Sequence, residues 1–498
     1  MQLPEYDTMD AMEMAELVRN GELSPKDLRE AAIERIQMRN PSLNAVVYKM
    51  YERAAQREAE LPKGPLYGVP FLVKDLKLQI KDTPTSNSCL LTKDRMATQN
   101  SLLAERYEAA GLQILGKTNT PEFGLMGITE SSLRGPCRNP WNTDHTPGGS
   151  SGGASSAVAA RMVPIAHAGD GGGSIRIPAS ATGLFGLKPT RGRVSMAPFF
   201  GESWNGFVQE HALSKSVRDS AICLDIESQL TPGEPYAAPH KPLPYIEEIE
   251  KDPPKLKIAF TTENLLIGDP HPDCVAAVRD AVDLLETLGH EVVEAKPTLP
   301  KEQLIHDYFM VVAAGIARFV ETSSDYAGVK PSPKNFEPST WVMAQIGWAH
   351  RSSDLLAAQQ RIQKESRHIA SFFGEYDMFV TSTLARPPAQ IGELLPTPTE
   401  LRLLGALRVL PFKKLIDVAL EKIATGKLAY TPNTQIFNQT GQPAMSVPLY
   451  WNHKNLPIGV QIAGGFGRED LLLQLAKQLE TERPWANKLP PMISSGQT

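Results

Sequence analysis

Pro147-Gly148-Gly149-Ser150-Ser151-Gly152-Gly153 opens a run of small residues, and Asp170-Gly171-Gly172-Gly173-Ser174-Ile175-Arg176-Ile177-Pro178 follows it. Two serines on glycine-rich loops, Ser150 and Ser174, thus stand 24 residues apart. Glycine–serine clusters are commonly turns or linkers. A linker would not run straight into Gly152–Ala160, which is small and apolar like a tightly packed internal helix. Residues 163–169 then read as a buried strand, so Ser174 falls just past a strand end.

Working outward, Gly64-Pro65 marks a turn, and Leu66–Leu76 reads as a second buried strand. Its apolar run Gly68-Val69-Pro70-Phe71-Leu72-Val73 is closed by Lys74. Ser101–Ala110 has the pattern of an amphipathic helix, and Leu112–Gly116 that of a short strand. Residues 8–60 read as helices, with Ser24 as a cap and Pro25 in the first turn. Composition shifts at Thr231–Lys255 to a dense run of Pro, Glu and Lys. A strand-like Leu256–Phe260 and a helix over Cys274–Leu288 follow. Residues 301–424 read as mostly helical, with proline-rich breaks at 330–338 and 386–398. Alternating strands and helices of this kind predict an α/β fold with a largely covered sheet.

The chain has 498 residues, of which 41% are hydrophobic and 21% charged, so a large core is possible. A net charge of −5 without any basic block argues against a nucleic-acid surface. The opening Met1-Gln2-Leu3-Pro4-Glu5-Tyr6-Asp7 is acidic and lacks an apolar h-region, so no signal peptide is expected. No apolar stretch of membrane-spanning length is read; the best candidate, Gly152–Ile165, is broken by Arg161. These features predict a soluble cytoplasmic protein without a membrane partner. Cys89, Cys137, Cys223 and Cys274 lie far apart, and no histidine falls in a metal-ligand pattern, so no metal or cofactor is expected.

A serine hydroxyl attacks a carbonyl only if a base takes its proton, and backbone N–H groups must await the oxyanion. Gly171 to Ser174 are candidate donors, because glycine lets the main chain approach a substrate. Lysine is a base only when neutral, which desolvation favours. Taken alone, Lys74 also fits a lysine reaching from a strand end to water, and Ser174 fits a helix cap. Gly148-Gly149-Ser150-Ser151-Gly152 matches G-x-S-x-G, the nucleophile elbow. That elbow needs a buried strand before it, whereas Arg138 to Pro147 contains two prolines and no apolar run. No Lys-Ser or Lys-Thr follows the glycines, so a nucleotide phosphate loop is excluded. His145 and His167 read as structural.

The stretch from Gly68 to Met196 resembles the amidase signature family, whose hallmarks are the two glycine–serine segments quoted above. Further matches are Gly116-Lys117-Thr118-Asn119-Thr120-Pro121-Glu122-Phe123-Gly124, Gly186-Leu187-Lys188-Pro189-Thr190-Arg191-Gly192, Asn438-Gln439-Thr440-Gly441-Gln442-Pro443-Ala444 and Pro457-Ile458-Gly459-Val460-Gln461-Ile462. Within the family the chain is most similar to hydrolases of 6-aminohexanoate cyclic dimer, through Arg138–Asn142 and Gly467–Gln474. The resemblance implies an α/β fold, a central mixed β-sheet covered by helices on both faces. It implies one domain over 1–498, with N-terminal helices at 1–60 and a core at 66–230 and 426–490. Residues 240–425 would be a mostly helical elaboration shaping the substrate entrance.

The implied activity is amide hydrolysis through an acyl-enzyme. The implied triad is Lys74 as base, Ser150 as bridge through a cis peptide bond, and Ser174 as nucleophile. Gly171, Gly172, Gly173 and Ser174 would form the oxyanion hole, with Ser151, Asp170 and Arg176 in support. Leu125 and Met126 are expected at the substrate pocket. Gly171 stands where the family often has threonine, which predicts a roomier pocket. The implied substrates are small linear or cyclic amides such as 6-aminohexanoate oligomers, with aryl amides, carbamates or esters as alternatives. A glutamine-hydrolysing subunit of a transfer-RNA-dependent amidotransferase is the alternative of another class, although those members typically carry glutamine where this chain has Ile177. An exposed apolar face on Leu471–Leu479 would permit a homodimer.

Overall fold

The computed structural model describes residues 3–397, 400, 426 and 428–494. Its strands are, in chain order, β1 (Val46–Lys49), β2 (Pro70–Lys74), β3 (Gln113–Thr118), β4 (Glu130–Ser131), β5 (Gly135–Pro136) and β6 (Ile165–Asp170). There follow β7 (Phe185–Lys188), β8 (Gln209–Ser214), β9 (Lys257–Phe260), β10 (Glu291–Glu294), β11 (Met378–Ser382), β12 (Ala444–Trp451) and β13 (Pro457–Gly464). β4 and β5 pair as a hairpin; the other eleven form one sheet in the order β1-β3-β2-β6-β8-β7-β12-β13-β11-β9-β10. β3, β2 and β6 run parallel. The pairings from β6 through β13 to β11 are antiparallel, so the sheet is mixed. Every residue of β2, β3, β6, β8 and β13 is buried, as in a sheet covered on both faces.

Parallel neighbours need crossover connections. The one from β2 to β3 carries the helix Leu102–Ala109, and the one from β3 to β6 carries Gly152–Ala159. Both return the chain in the same direction, so the C-terminal ends of β2 and β6 meet at one end of the sheet. Lys74 ends β2 and Asp170 ends β6. The two loops quoted at the outset therefore converge there, as ligand sites of open α/β sheets do.

Several expectations change. Residues 8–60 contain helices, including Pro25–Leu43 with Ser24 and Asp27 in a reciprocal capping box, but also the edge strand β1. Asn44, in the left-handed region at φ 52°, ends the helix. The β-branched and aromatic Val46-Val47-Tyr48 can then pair with β3. Residues 257–382 contribute β9, β10 and β11 to the same sheet besides their helices. Of the segment read as helical up to 424, residues 398–399 and 401–424 lie outside the described residues.

The late helix, Glu469–Glu482, exposes no apolar stripe. Leu471, Leu472, Leu473, Leu475 and Leu479 are buried against β13 and the helices Val217–Glu227 and Tyr245–Glu248. The leucines close the core instead of offering a dimer surface. The helix Lys301–Tyr326 corrects the absence of a long apolar stretch. It spans 26 residues and is apolar enough to cross a membrane. Its polar first turns, Lys301-Glu302-Gln303, mask the apolar run behind them, which is largely buried against Pro338–Ala349 and Ser352–Phe372.

Candidate active site

The end of β2 places Lys74 among groups that cannot solvate an ammonium well. Its Nζ donates to Ser150 Oγ at 2.8 Å and to the Gly169 carbonyl at 3.2 Å, and the side chain is buried. Burial lowers its pKa to about 7, with Glu210 and Asp170 opposing that shift and Lys77 reinforcing it. Burial thus favours the free amine over the ammonium at Lys74. The peptide bond between Gly149 and Ser150 is cis. Ser151 Oγ donates to the Gly169 carbonyl at 3.2 Å, so Ser151 and Lys74 share one acceptor near the end of β6.

The second loop is held by charge. Arg176 Nε and Nη2 each lie 3.0 Å from the Asp170 carboxylate, and both side chains are buried. Burial alone would raise the Asp170 pKa, but Arg176 and the Asn438 amide hold it at about 2. The guanidinium also donates to the Thr434 carbonyl and Gln461 Oε1, each at 2.8 Å, and to Asn438 Oδ1 at 2.6 Å. Its planar fork is thus fully used. Asp170 in turn accepts the backbone N–H of Gly173 at 2.6 Å and of Ile175 at 3.2 Å. This corrects one expectation: the Gly173 N–H is engaged by Asp170 and is not free for an oxyanion. The N–H groups of Gly171, Gly172 and Ser174 have no acceptor among the described residues.

Ser174 opens onto a cavity of about 330 Å³. Leu125 and Met126 line it, together with Trp204, Tyr308, Phe309 and Val312. Among the described residues no hydrogen bond joins Ser174 Oγ to Ser150. The pocket is not roomier at Gly171. A Cβ there would stand 2.9 Å from the Trp204 ring and 3.1 Å from Val208. The indole occupies the space a larger side chain would take.

Asp75 follows the last residue of β2 and accepts the backbone N–H of Ser86 at 2.9 Å. His167 is buried between the Lys74 backbone N–H, 3.3 Å from Nδ1, and Glu210, 3.1 Å from Nε2. His145 does not line the cavity, and its buried Nδ1 has no partner, so its surroundings are less satisfied than a structural histidine's should be. Among the described residues no group of three or more His, Cys, Asp or Glu is placed to hold a metal. Sequence reasoning missed Trp204, Tyr308 and Thr434, whose isolated positions carry no motif. Asn438 and Gln461 lay inside quoted motifs, but their role depends on contacts across more than 250 residues.

A buried amine–serine contact at one end of a mixed α/β sheet, with an apolar cavity lined by Ser174, is the setting of an amide-hydrolysing enzyme. The family model "Amidase" matches residues 27–473, and the chain belongs to the amidase signature family. It is 37% identical to a 6-aminohexanoate-cyclic-dimer hydrolase of Pseudomonas sp. (strain NK87), over 97% of each chain. A solved 6-aminohexanoate cyclic dimer hydrolase complexed with substrate superimposes with a TM-score of 0.88 at 35% identity, covering 98% of this chain and 99% of that one. A bacterial aryl acylamidase superimposes with a TM-score of 0.84 at 25% identity, covering 96% and 97%.

Proposed function

We propose that the enzyme hydrolyses small linear or cyclic amides, 6-aminohexanoate oligomers among them, through an acyl-enzyme on Ser174. The observation that carries this reading is the 2.8 Å contact between Lys74 Nζ and Ser150 Oγ. Ser174 Oγ attacks the amide carbonyl. The Ser174 proton passes to Ser150, whose own proton passes to neutral Lys74. Gly171, Gly172 and Ser174 offer N–H groups to the oxyanion. Collapse breaks the C–N bond while the relay returns a proton to the leaving amine. Water then attacks the ester by the same route, giving the acid and free Ser174.

Fluorophosphonate labelling followed by peptide mapping tests the nucleophile: the adduct is expected on Ser174, and an adduct on Ser150 would reassign it. Ser174→Ala is expected to lower kcat by about 10⁴-fold or more. The pH profile tests the base. Protonated Lys74 cannot accept a proton, so kcat/KM rises with pH and levels off above about 7. A profile flat from about pH 6 to 9 would remove Lys74 from this role.

A further inference from the structure

The loop that carries Ser174 contains three consecutive glycines, Gly171 to Gly173, and glycine has the widest backbone freedom of any residue. Such a loop keeps one shape only if groups outside it hold its peptides. In a trans peptide the carbonyl and the following N–H point in opposite directions, so tying one fixes the other. The Asp170 carbonyl accepts Asn438 Nδ2 at 3.0 Å, the Gly171 carbonyl accepts the Tyr308 hydroxyl at 3.3 Å, and the Gly173 carbonyl accepts the Ile177 N–H at 2.7 Å. The N–H groups of those three peptides belong to Gly171, Gly172 and Ser174, the ones proposed for the oxyanion. The remaining peptide, between Gly172 and Gly173, has a glycine on each side and is held at both ends. Its N–H meets Asp170 at 2.6 Å, and its carbonyl accepts Thr434 Oγ1 at 2.7 Å. Thr434 lies close against this peptide: a Cβ on Gly173, which sits at φ 128°, would stand 2.4 Å from its Oγ1. Its own carbonyl accepts Arg176 Nη1 at 2.8 Å, so the guanidinium that holds Asp170 also holds the threonine. Thr434 is buried and does not line the cavity of Ser174.

We propose that Thr434 is a positioning residue for the transition state: its hydroxyl locks the plane of the Gly172–Gly173 peptide, and with it the spacing of the Gly172 and Ser174 N–H groups on either side. An oxyanion gains from its donors only when they stand about 3 Å from where the charge forms, and that charge exists only after attack. The substrate before attack meets the apolar walls instead. Releasing the clamp therefore weakens the transition state and leaves substrate binding nearly as it was. The inference rests on the proposed amidase reading and deepens it by assigning a function to a side chain that touches neither the triad nor the substrate.

The test uses the full chain and three variants. Thr434→Val keeps the shape and removes the hydroxyl, Thr434→Ala removes both, and Thr434→Ser keeps the hydroxyl and removes the methyl. Active sites are counted by the end-point yield of fluorophosphonate adduct on Ser174, so loss of folded enzyme cancels. On an alkanoyl p-nitroanilide, Thr434→Val and Thr434→Ala are expected to lower kcat per site by about tenfold or more with KM within about twofold, and Thr434→Ser to stay within about threefold of wild type. An alkyl trifluoromethyl ketone takes up a serine oxygen to give a tetrahedral oxyanion; its affinity should fall in Thr434→Val in step with kcat/KM, while the corresponding alcohol binds as before. An unchanged kcat in Thr434→Val and Thr434→Ala overturns the proposal. So does a loss in Thr434→Ser as large as in Thr434→Val, or an equal loss of ketone and alcohol binding, since either assigns the threonine to packing. These outcomes leave the amidase reading intact. Release of p-nitroaniline by Ser174→Ala at the wild-type rate would instead overturn that reading.

Discussion

The floor and the wall of the cavity are built by different physics. The floor is the loop from Asp170 to Arg176, where an ion pair, two amide side chains and backbone N–H groups fix each atom. The wall is the helix Lys301–Tyr326 with its neighbour Pro338–Ala349, joined by Phe309, Val312, Val342 and Ile346 in one apolar cluster. Charged hydrogen bonds specify direction, whereas apolar contacts specify only volume. The floor is thus suited to holding Ser174 and the N–H groups proposed for the oxyanion in fixed positions. The wall is suited to variation in what is bound, as specificity elements on a rigid scaffold usually are.

The sharpest way to break this contrast is Arg176→Met. It leaves the Asp170 carboxylate buried without its cation, and breaking a buried pair from one side costs about 3–5 kcal/mol. Urea unfolding should show that loss, along with loss of turnover on every substrate. A cost below about 1 kcal/mol would mean that Asn438 and the loop N–H groups suffice to hold the carboxylate. A wall substitution, Val312→Ala, carries no such uncompensated charge.

The same contrast explains what the sequence made legible. Ser150, Ser174, Asp170 and Arg176 stand in two short segments, because local hydrogen bonds require neighbours at fixed spacing. β2, β3 and β6 were readable as apolar runs, since burial on both faces leaves little choice of residue. Tyr308 and Phe309 were not, because any helix supplies apolar side chains and nothing local says which cavity they meet. Trp204 was hidden for another reason: it sits in a loop at φ 53°, a conformation its residue type does not announce. The engagement of the Gly173 N–H by Asp170 was equally invisible, since it depends on how the loop turns after β6.

A smaller effect is expected at the cavity rim. Leu125 and Met126 precede the strand-poor segment that leads to the first glycine loop, and Leu125 presents an apolar side chain to the pocket. Leu125→Asn adds a donor and an acceptor at the cost of apolar surface. The ratio of kcat/KM for polar over aryl or alkyl amides should rise by about tenfold, the scale of one well-placed group. An unchanged ratio would remove Leu125 from substrate choice and leave the resemblance to the aryl acylamidase without a counterpart in the pocket.

The smallest prediction concerns the contact where wall meets floor. Tyr308, stacked on Phe207 at 5.8 Å, donates from its hydroxyl to the Gly171 carbonyl at 3.3 Å. Its ring belongs to the wall, and its oxygen to the floor. Tyr308→Phe keeps the ring and removes one long neutral hydrogen bond, so stability should fall by about 0.5–1 kcal/mol. The carbonyl it releases belongs to the same glycine loop whose N–H groups are proposed for the oxyanion. If the hydroxyl serves the floor, kcat falls a few-fold, about threefold, equally for polar and apolar amides, with KM unchanged. If the variant instead changes the preference among substrates while kcat on the best one holds, the hydroxyl acts in the wall. Because the ring stays in place in both cases, the split between kcat and preference assigns the contact to one region or the other.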